Sequence, residues 1–501
     1  MADEMLPTEH LKKIQHCSRG VKISVAVCLL LFLVVVSLTL ISSSSGKRNL
    51  FVSSVSASSA SYPESNLFSS SALASAPTPF SESNFLASST RSLNASHILF
   101  AIGGSAATWS SRKEYTALWW NSSVTRGFVW LDEKPSGSLK NFHGPTYRIS
   151  AKIPSNFPPV VRLATLIRDS FNLRLPGVRW FVIGDDDTVF FVDNLVSVLS
   201  RYDDREMWYI GDSSESVEQD VIHSYALAFG GGGYAISYPL AEKLVAVLDD
   251  CLNTYSSLYG ADERIRACIA EIGVPLTHHR GFHQFDIRGS AYGLLAAHPV
   301  APLVSVHHLD YLDPLFPNKT RLGSVKLFVE SYKADPARFV QQTICYHRTK
   351  NWTLSVSSGF TAQLYPLKVS PIDLQCPLQT FKTWRSQSDG PFTVKTRLVP
   401  SSDPCEGPVI YMVDGVKKVG RRLRTSYTSF GPIQGQPCLD EKFNEVMSVK
   451  QIVALSEESG PEFWSEAPRR ECCDFDDDGM VKNRTLQVRI RRCRSTEILA
   501  G

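Results

Sequence analysis

The chain has 501 residues, 43% of them hydrophobic and 20% charged, with a formal net charge of +3 and eleven cysteines. That length holds one large core or two domains. With charge nearly balanced and no run of Lys or Arg interleaved with aromatics, the composition argues against nucleic acid as a partner.

Residues 1–22 carry Lys12, Lys13, Arg19 and Lys22, and residues 23–41 then form an uncharged Leu/Val-rich stretch long enough to cross a bilayer. Only Lys47 and Arg48 follow closely, so the positive-inside bias predicts a cytosolic tail at 1–22, a membrane anchor at 23–41 and the rest of the chain across the membrane. A signal peptide cleaved near Ser56 and Ala57 is the competing expectation, although its apolar core is normally shorter. The sequons at Asn94, Asn121, Asn318, Asn351 and Asn483 all follow the span, as do nine cysteines that match no zinc spacing. Both agree with an oxidising lumen and disulfides, and the odd cysteine count leaves a thiol free or paired between chains.

Residues 42–96 are rich in Ser, Ala and Pro, and their composition predicts a disordered stem. Anchor, stem and luminal body together are the layout of a resident Golgi enzyme, shared with cell-surface receptors. From 97 the pattern alternates: a strand at 97–102, a helix through Tyr115, Leu118 and Trp119, a strand at 127–131 and a helix at 161–173. A strand through Trp180, Phe181, Val182 and Ile183 comes next, then a helix capped by Asp193. This order predicts an α/β fold with a mainly parallel sheet and helices on both faces. Residues 331–501 change to short alternating runs such as Leu486, Val488 and Ile490, and read as a separate β-rich domain stapled by disulfides.

Gly184 and then Asp185, Asp186 and Asp187 end the 180–183 strand, where open α/β sheets bind ligands. Adjacent carboxylates repel one another, so the triplet is costly unless a divalent cation holds it; a plain acidic turn is the simpler alternative. A second triplet, Asp476, Asp477 and Asp478, lacks an apolar strand before it and reads as a hairpin tip. Four glycines, Gly230 to Gly233, stand between Phe229 and Tyr234, where each costs about 0.5–1 kcal/mol relative to Ala. They suit a backbone that a ligand approaches closely. Asp262 opens a helix and is either a routine cap or a general base at a site rim. His278, His279, His283, His307 and His308 are candidate imidazole ligands, and imidazole beside carboxylate suits Mn²⁺ better than Mg²⁺.

In this order the segments resemble the fringe-like β-1,3-glycosyltransferases, above all their plant branch, over residues 97–313. The strand ending in Asp185, Asp186 and Asp187 is similar to fringe's aromatic strand and DDD motif, and 230–237 to its G-G-A-G-F-x-x-S. Residues 260–265 are similar to P-D-D-T-T-I, whose second aspartate, the family's base, falls on Asp262. Arg112, eight residues before Trp120, matches a donor-binding arginine. The resemblance implies a GT-A-like domain at 97–330, with 331–501 outside the fringe match. It also implies an inverting, metal-dependent transferase moving a sugar from a UDP-sugar donor to a glycan or other hydroxyl acceptor. Asp187 and His307, with Asp185, would hold Mn²⁺; Arg112, Asp185 and Asp186 would meet the donor, and Gly231 and Gly232 would leave room for it.

Two departures matter. Where fringe has F-H-x-H this chain has Phe282, His283, Gln284 and Phe285, which leaves His283 as the alternative to His307 as ligand. Arg264 and Arg266 replace small or polar residues, which points away from fringe's fucose acceptor. Two other functions compete: a catalytically inactive luminal lectin or scaffold, and an aspartyl-phosphate phosphatase reading Asp185-x-Asp187-x-Val189 as its nucleophile motif. The latter's second acidic motif fails at Ser216.

Overall fold

The computed structural model describes residues 92–499 except 138–140, 154–156, 400–404, 431–437 and 477–480. The tail, the anchor expected at 23–41 and most of the stem therefore lie outside the described residues, as do Asp477 and Asp478. Among the described residues, no helix is long and apolar enough to cross a membrane.

The first strands are β1 (Ile98–Gly103), β2 (Arg126–Leu131), β3 (Tyr147–Ile149), β4 (Trp180–Asp185), β5 (Val189–Phe190), β6 (Tyr209–Gly211), β7 (Tyr234–Ser237) and β8 (Leu276–His278). All but β5 build one sheet in the order β3-β2-β1-β4-β7-β6-β8. Its pairs are parallel except those that β7 makes with β4 and β6. Alternate residues of β1 and β4 enter different cores: Ile98, Phe100, Ile102, Trp180 and Val182 on one face, Leu99, Phe181 and Ile183 on the other. Burial on both faces is the reason these strands read as unbroken apolar runs.

The helix Ala106–Trp119 puts Trp109, Tyr115 and Trp119 into the first core. The helices Tyr238–Thr254 and Ala261–Ile272 pack on the opposite face and are joined by the Cys251–Cys268 disulfide. Replacing Cys251 with Ser is expected to lower stability by about 3 kcal/mol, since the bond closes a short loop in the unfolded chain; urea melts under non-reducing conditions measure it. The stretch expected as one helix at 161–173 is instead a 3-10 turn, Pro159–Thr165, running into a short helix, Leu166–Phe171. Asp193 does not cap the helix Val192–Leu199 either; it lies inside the first turn, and its backbone N–H donates to the Tyr332 hydroxyl at 3.1 Å.

Beyond this sheet come β9 (Phe282–His283), β10 (Ile287–Gly289) and β11 (Ser305–Val306), with β5, β11 and β9 forming a small sheet. The C-terminal strands are β12 (Gln342–His347), β13 (Trp352–Ser357), β14 (Thr361–Tyr365), β15 (Phe381–Thr383), β16 (Val409–Val419), β17 (Arg422–Ser429), β18 (Gln451–Glu457), β19 (Glu471–Phe475) and β20 (Thr485–Arg492). Eight of them form a sheet in the order β12-β13-β14-β16-β17-β18-β20-β19, while β15 pairs with β10. Disulfides Cys345–Cys473, Cys405–Cys438 and Cys472–Cys493 staple this region, and Cys376 is free. Most of its buried residues, including Trp352, Leu354, Tyr411 and Val488, share one apolar cluster with the first face of the N-terminal sheet.

Candidate active site

The aspartate triplet begins at the carboxyl end of β4, where Asp185 is in register with Gly103 of β1. Thr188 locks the turn that follows. Its hydroxyl accepts from the Asp185 N–H at 2.8 Å and donates to the Gly231 carbonyl at 2.7 Å, tying the triplet to the glycine run. Asp186 and Asp187 are buried, whereas the Asp185 side chain keeps a third of its surface open.

Arg112 reaches this group from the helix Ala106–Trp119, lying 3.2 Å from Asp186, 3.3 Å from Asp187 and 2.9 Å from Asp310. His307 Nε2 is 3.2 Å from Asp187 and 3.7 Å from Asp185. Four carboxylates thus surround one guanidinium and one imidazole, a deficit of two positive charges. The deficit shows in the proton affinities. Burial, with Asp187 adding to it, pushes Asp185 up to about 6, Asp186 to about 7 and Asp310 to about 6. Burial also opposes ionisation of Asp187, but His307 and Arg112 outweigh it and hold this carboxyl well below its usual range. Burial likewise disfavours a charged His307, but Asp187 and Asp185 raise it to about 9.

Both Asp187 oxygens, one Asp186 oxygen and His307 Nδ1 are buried without a well-aligned hydrogen bond. Asp185, Asp187 and His307 each offer an atom within 4.8 Å of the other two. Unmet oxygen acceptors, an imidazole and a shortage of two positive charges fit a divalent cation. Among the described residues the other such grouping, Cys472, Cys493 and Glu497, is closed by a disulfide.

Asp262 lies across the glycine run from this group. At the start of its helix the Gly260 N–H is taken by Glu263 at 3.0 Å, so Asp262 has no capping role. It accepts instead from the Gly230 N–H at 2.9 Å. Burial pushes its carboxyl up to about 6, the Gly230 bond partly offsetting the effect. The next residue, Gly231, packs on His307: a Cβ there would stand 2.2 Å from the ring, and one at Gly230 would stand 2.6 Å from Asp262. Asp262 and His307 of the protein itself thus pack into the room that Gly230 and Gly231 leave. Consecutive Cα atoms are about 3.8 Å apart, so the run sets Asp262 and the Asp185, Asp187 and His307 group side by side. We expect Gly231→Ala to cost about 1–3 kcal/mol by overpacking and to displace His307; denaturant melts and Mn²⁺ titration measure the two effects.

Gly232 donates to the Gln284 side chain and accepts from Ser305. His283, the alternative ligand, is not brought to the triplet. Its Nδ1 lies 3.0 Å from Glu215 and its Nε2 3.0 Å from His298, so both nitrogens are occupied in a buried cluster of their own. Arg264 says nothing about the acceptor: it is buried and donates to the carbonyls of Leu252, Ser256 and Leu258, closing the end of the preceding helix.

Two residues of the site went unmarked in the sequence. Asp310, three residues after His307, was detectable as a carboxylate beside an imidazole pair. Trp384 was not, because it comes from the β-rich region. Its ring lies parallel to His308 at 4.6 Å, His308 stacks on His307 at 3.8 Å, and Arg288 covers Trp384 at 4.7 Å. Burial and the charge of His307 push His308 down to about 3, so a neutral ring backs His307. A cleft of about 640 Å³ lined by Arg112, Tyr115, Asp310 and Arg321 opens beside the group. A larger cavity of about 1000 Å³ lies by Arg179 and Trp464, at the amino end of β4 and away from the carboxylates.

A family profile described as "Protein of unknown function, DUF604" matches residues 219–473. The chain is 33% identical over 105 residues to a human beta-1,3-glucosyltransferase, covering 21% of this chain and 20% of the relative. It is 28% identical over 171 residues to human N-acetyllactosaminide beta-1,3-N-acetylglucosaminyltransferase 4, covering 27% of this chain and 44% of the relative. The chain thus spans between a fifth and under a half of these relatives. Among solved structures it is similar to the galactosyltransferase LgtC with donor and acceptor sugar analogues, at 10% identity and a TM-score of 0.27 over 46% of this chain and 92% of that one. That likeness is too loose to carry an argument.

Proposed function

The chain belongs to the DUF604 family, and on that premise we propose that it is a glycosyltransferase that moves a sugar from a UDP-sugar donor to a hydroxyl of a glycan or other acceptor, with inversion. One observation carries the proposal: the glycine run holds a carboxylate of raised proton affinity beside a group short of two positive charges at the carboxyl end of a sheet strand. The matched stretches of two beta-1,3-glycosyltransferases support it.

In this reading Asp185, Asp187 and His307 hold a divalent cation, Mn²⁺ by the chemistry of the donor set. Such an ion supplies Lewis-acid neutralisation of charge on a leaving diphosphate. Arg112 presents its guanidinium to the donor phosphates from the wall of the cleft, moving off the carboxylates it now bridges. Asp262 accepts the proton of the acceptor hydroxyl as that oxygen forms its bond to the anomeric carbon. The bond from that carbon to the diphosphate breaks, and UDP departs with the electron pair. Residence in the Golgi lumen behind an N-terminal anchor belongs to the same proposal and rests on the sequons and disulfides.

A screen of UDP-sugars for slow donor hydrolysis by the purified full-length protein, with Mn²⁺ and with chelator, tests the function. Hydrolysis of one donor with Mn²⁺ alone is expected. Absence of both hydrolysis and calorimetric UDP binding would favour the inactive lectin or scaffold, and phosphate release from a generic phosphoester without UDP binding would favour the phosphatase.

A further inference from the structure

The outer face of the eight-stranded sheet carries basic residues in register. Across β16, β17, β18 and β20 the row reads Lys417, Arg424, Leu455 and Arg489. Lys417 stands directly opposite Arg424, an arrangement that destabilises a sheet unless something offsets it. Arg422, two residues along β17, shares the face with Arg424, while Leu423 between them points into the core. Lys417, Arg422, Arg424 and Arg489 are all exposed.

Local acids neutralise this face only in part: Glu457 stands opposite Arg422 and Asp474 opposite Arg489, while Lys417 and Arg424 face each other. The groove containing the row, about 1270 Å³, is lined by eight basic and four acidic side chains. Of the acids, Glu471 is bound by the buried Arg338 and Glu458 by Lys418. Arg489 has Asp476 at 3.5 Å, but among the described residues Lys417, Arg421, Arg422 and Arg424 make no ion pair. A sheet keeps uncompensated like charges in line at a cost in stability, and a ligand of opposite sign removes that cost.

We propose that this groove is a binding site for an extended polyanionic polysaccharide, a chain of uronic acid units lying across the strands. Neighbouring strands are about 4.8 Å apart, so Lys417 and Arg424 stand about one sugar of a stretched chain apart and Arg489 two strands further on. Arginine forks pair with carboxylates through two hydrogen bonds, which suits this donor set. Leu455, in the row between Arg424 and Arg489, offers an apolar patch to the face of a sugar ring. The groove is lined by β16 to β20, Arg338 and the segment after β18, and none of its residues belongs to the Asp185, Asp187, His307 and Asp262 group. The choice of a sugar polymer over other polyanions rests on the transfer function proposed above.

Isothermal titration of the full-length protein in detergent with oligogalacturonate, neutral dextran and phosphatidylserine vesicles tests the site. Oligogalacturonate is expected to bind, more weakly as salt rises, and dextran not to bind. The double variant Arg422→Glu/Arg424→Glu should bind roughly tenfold more weakly or worse, because like charges then face the ligand. Its UDP-sugar hydrolysis should be unchanged, and it should still melt cooperatively, the relief of the Lys417 like-charge pair being set against a new repulsion with Glu457. Should that variant fail to fold, Arg422→Gln/Arg424→Gln gives the same comparison with smaller loss. Equal affinity in variant and parent, no oligogalacturonate binding at low salt, or binding of vesicles in preference to oligogalacturonate would each overturn the proposal. Oligogalacturonate binding without UDP-sugar turnover would leave the groove standing and remove the enzyme, while turnover without binding would do the reverse.

Discussion

Asp187→Ala should lower sugar transfer by about 10³-fold or more, the several kcal/mol attributed to a Lewis-acid cation at a phosphate leaving group. Asp187 faces His307 at 3.2 Å and Arg112 at 3.3 Å, and both its oxygens lack aligned hydrogen bonds. Its removal therefore takes the buried carboxylate from the proposed group of three. The fold should survive, because Arg112 keeps Asp186 and Asp310 as partners. Stability should still fall. A carboxyl held below its usual range stabilises the native state at neutral pH, and that contribution is lost with the residue. The direct measurement is Mn²⁺ affinity by calorimetry, expected to vanish alongside activity. Full transfer by the variant would remove Asp187 from the metal group.

The second large effect belongs to Asp262→Asn, expected to leave UDP binding intact and reduce turnover by about 10²–10⁴-fold, the usual contribution of general base catalysis. The side-chain oxygen of Asn still accepts from the Gly230 N–H, so the backbone there is undisturbed. The parent's pH profile carries the same signature. Asp262 must be ionised to accept a proton and its carboxyl stands at about 6, so the rate should fall as pH drops through about 6. Stability runs the other way. A carboxyl whose folded value lies above its unfolded one favours the native state at low pH, and this advantage is lost as pH rises through about 6. Asp262→Asn should therefore melt above the parent at pH 7–8, the difference closing below about pH 4. An acid limb unchanged in the variant would place the base elsewhere.

The β strands at 98–103 and 180–185 were legible because burial on both faces leaves unbroken apolar runs, and the aspartates after them because adjacent carboxylates repel one another. The glycine run was legible as a place of close approach, but what approaches it was not. Its neighbours His307 and Asp262 come from segments 76 and 32 residues further along the chain than Gly231 and Gly230. Asp262 and Arg264 show the same division. One residue type at a helix start serves equally as cap, base or spare charge. Only the contacts made by Glu263 and by the Gly230 N–H decide among them.

Much of the order of strands and helices and the disulfide-rich second half were thus contained in the sequence, because hydrophobic period is short-range. Which imidazole meets the carboxylates, and which charges are shared, depended on the tertiary structure. His283 ends β9 and His307 directly follows β11, the strand paired with it, yet their nitrogens meet different acids. Trp384 reaches the site from far along the chain through the β10–β15 pairing. Such choices are set by strand register and by which face a side chain leaves, quantities that no single segment encodes.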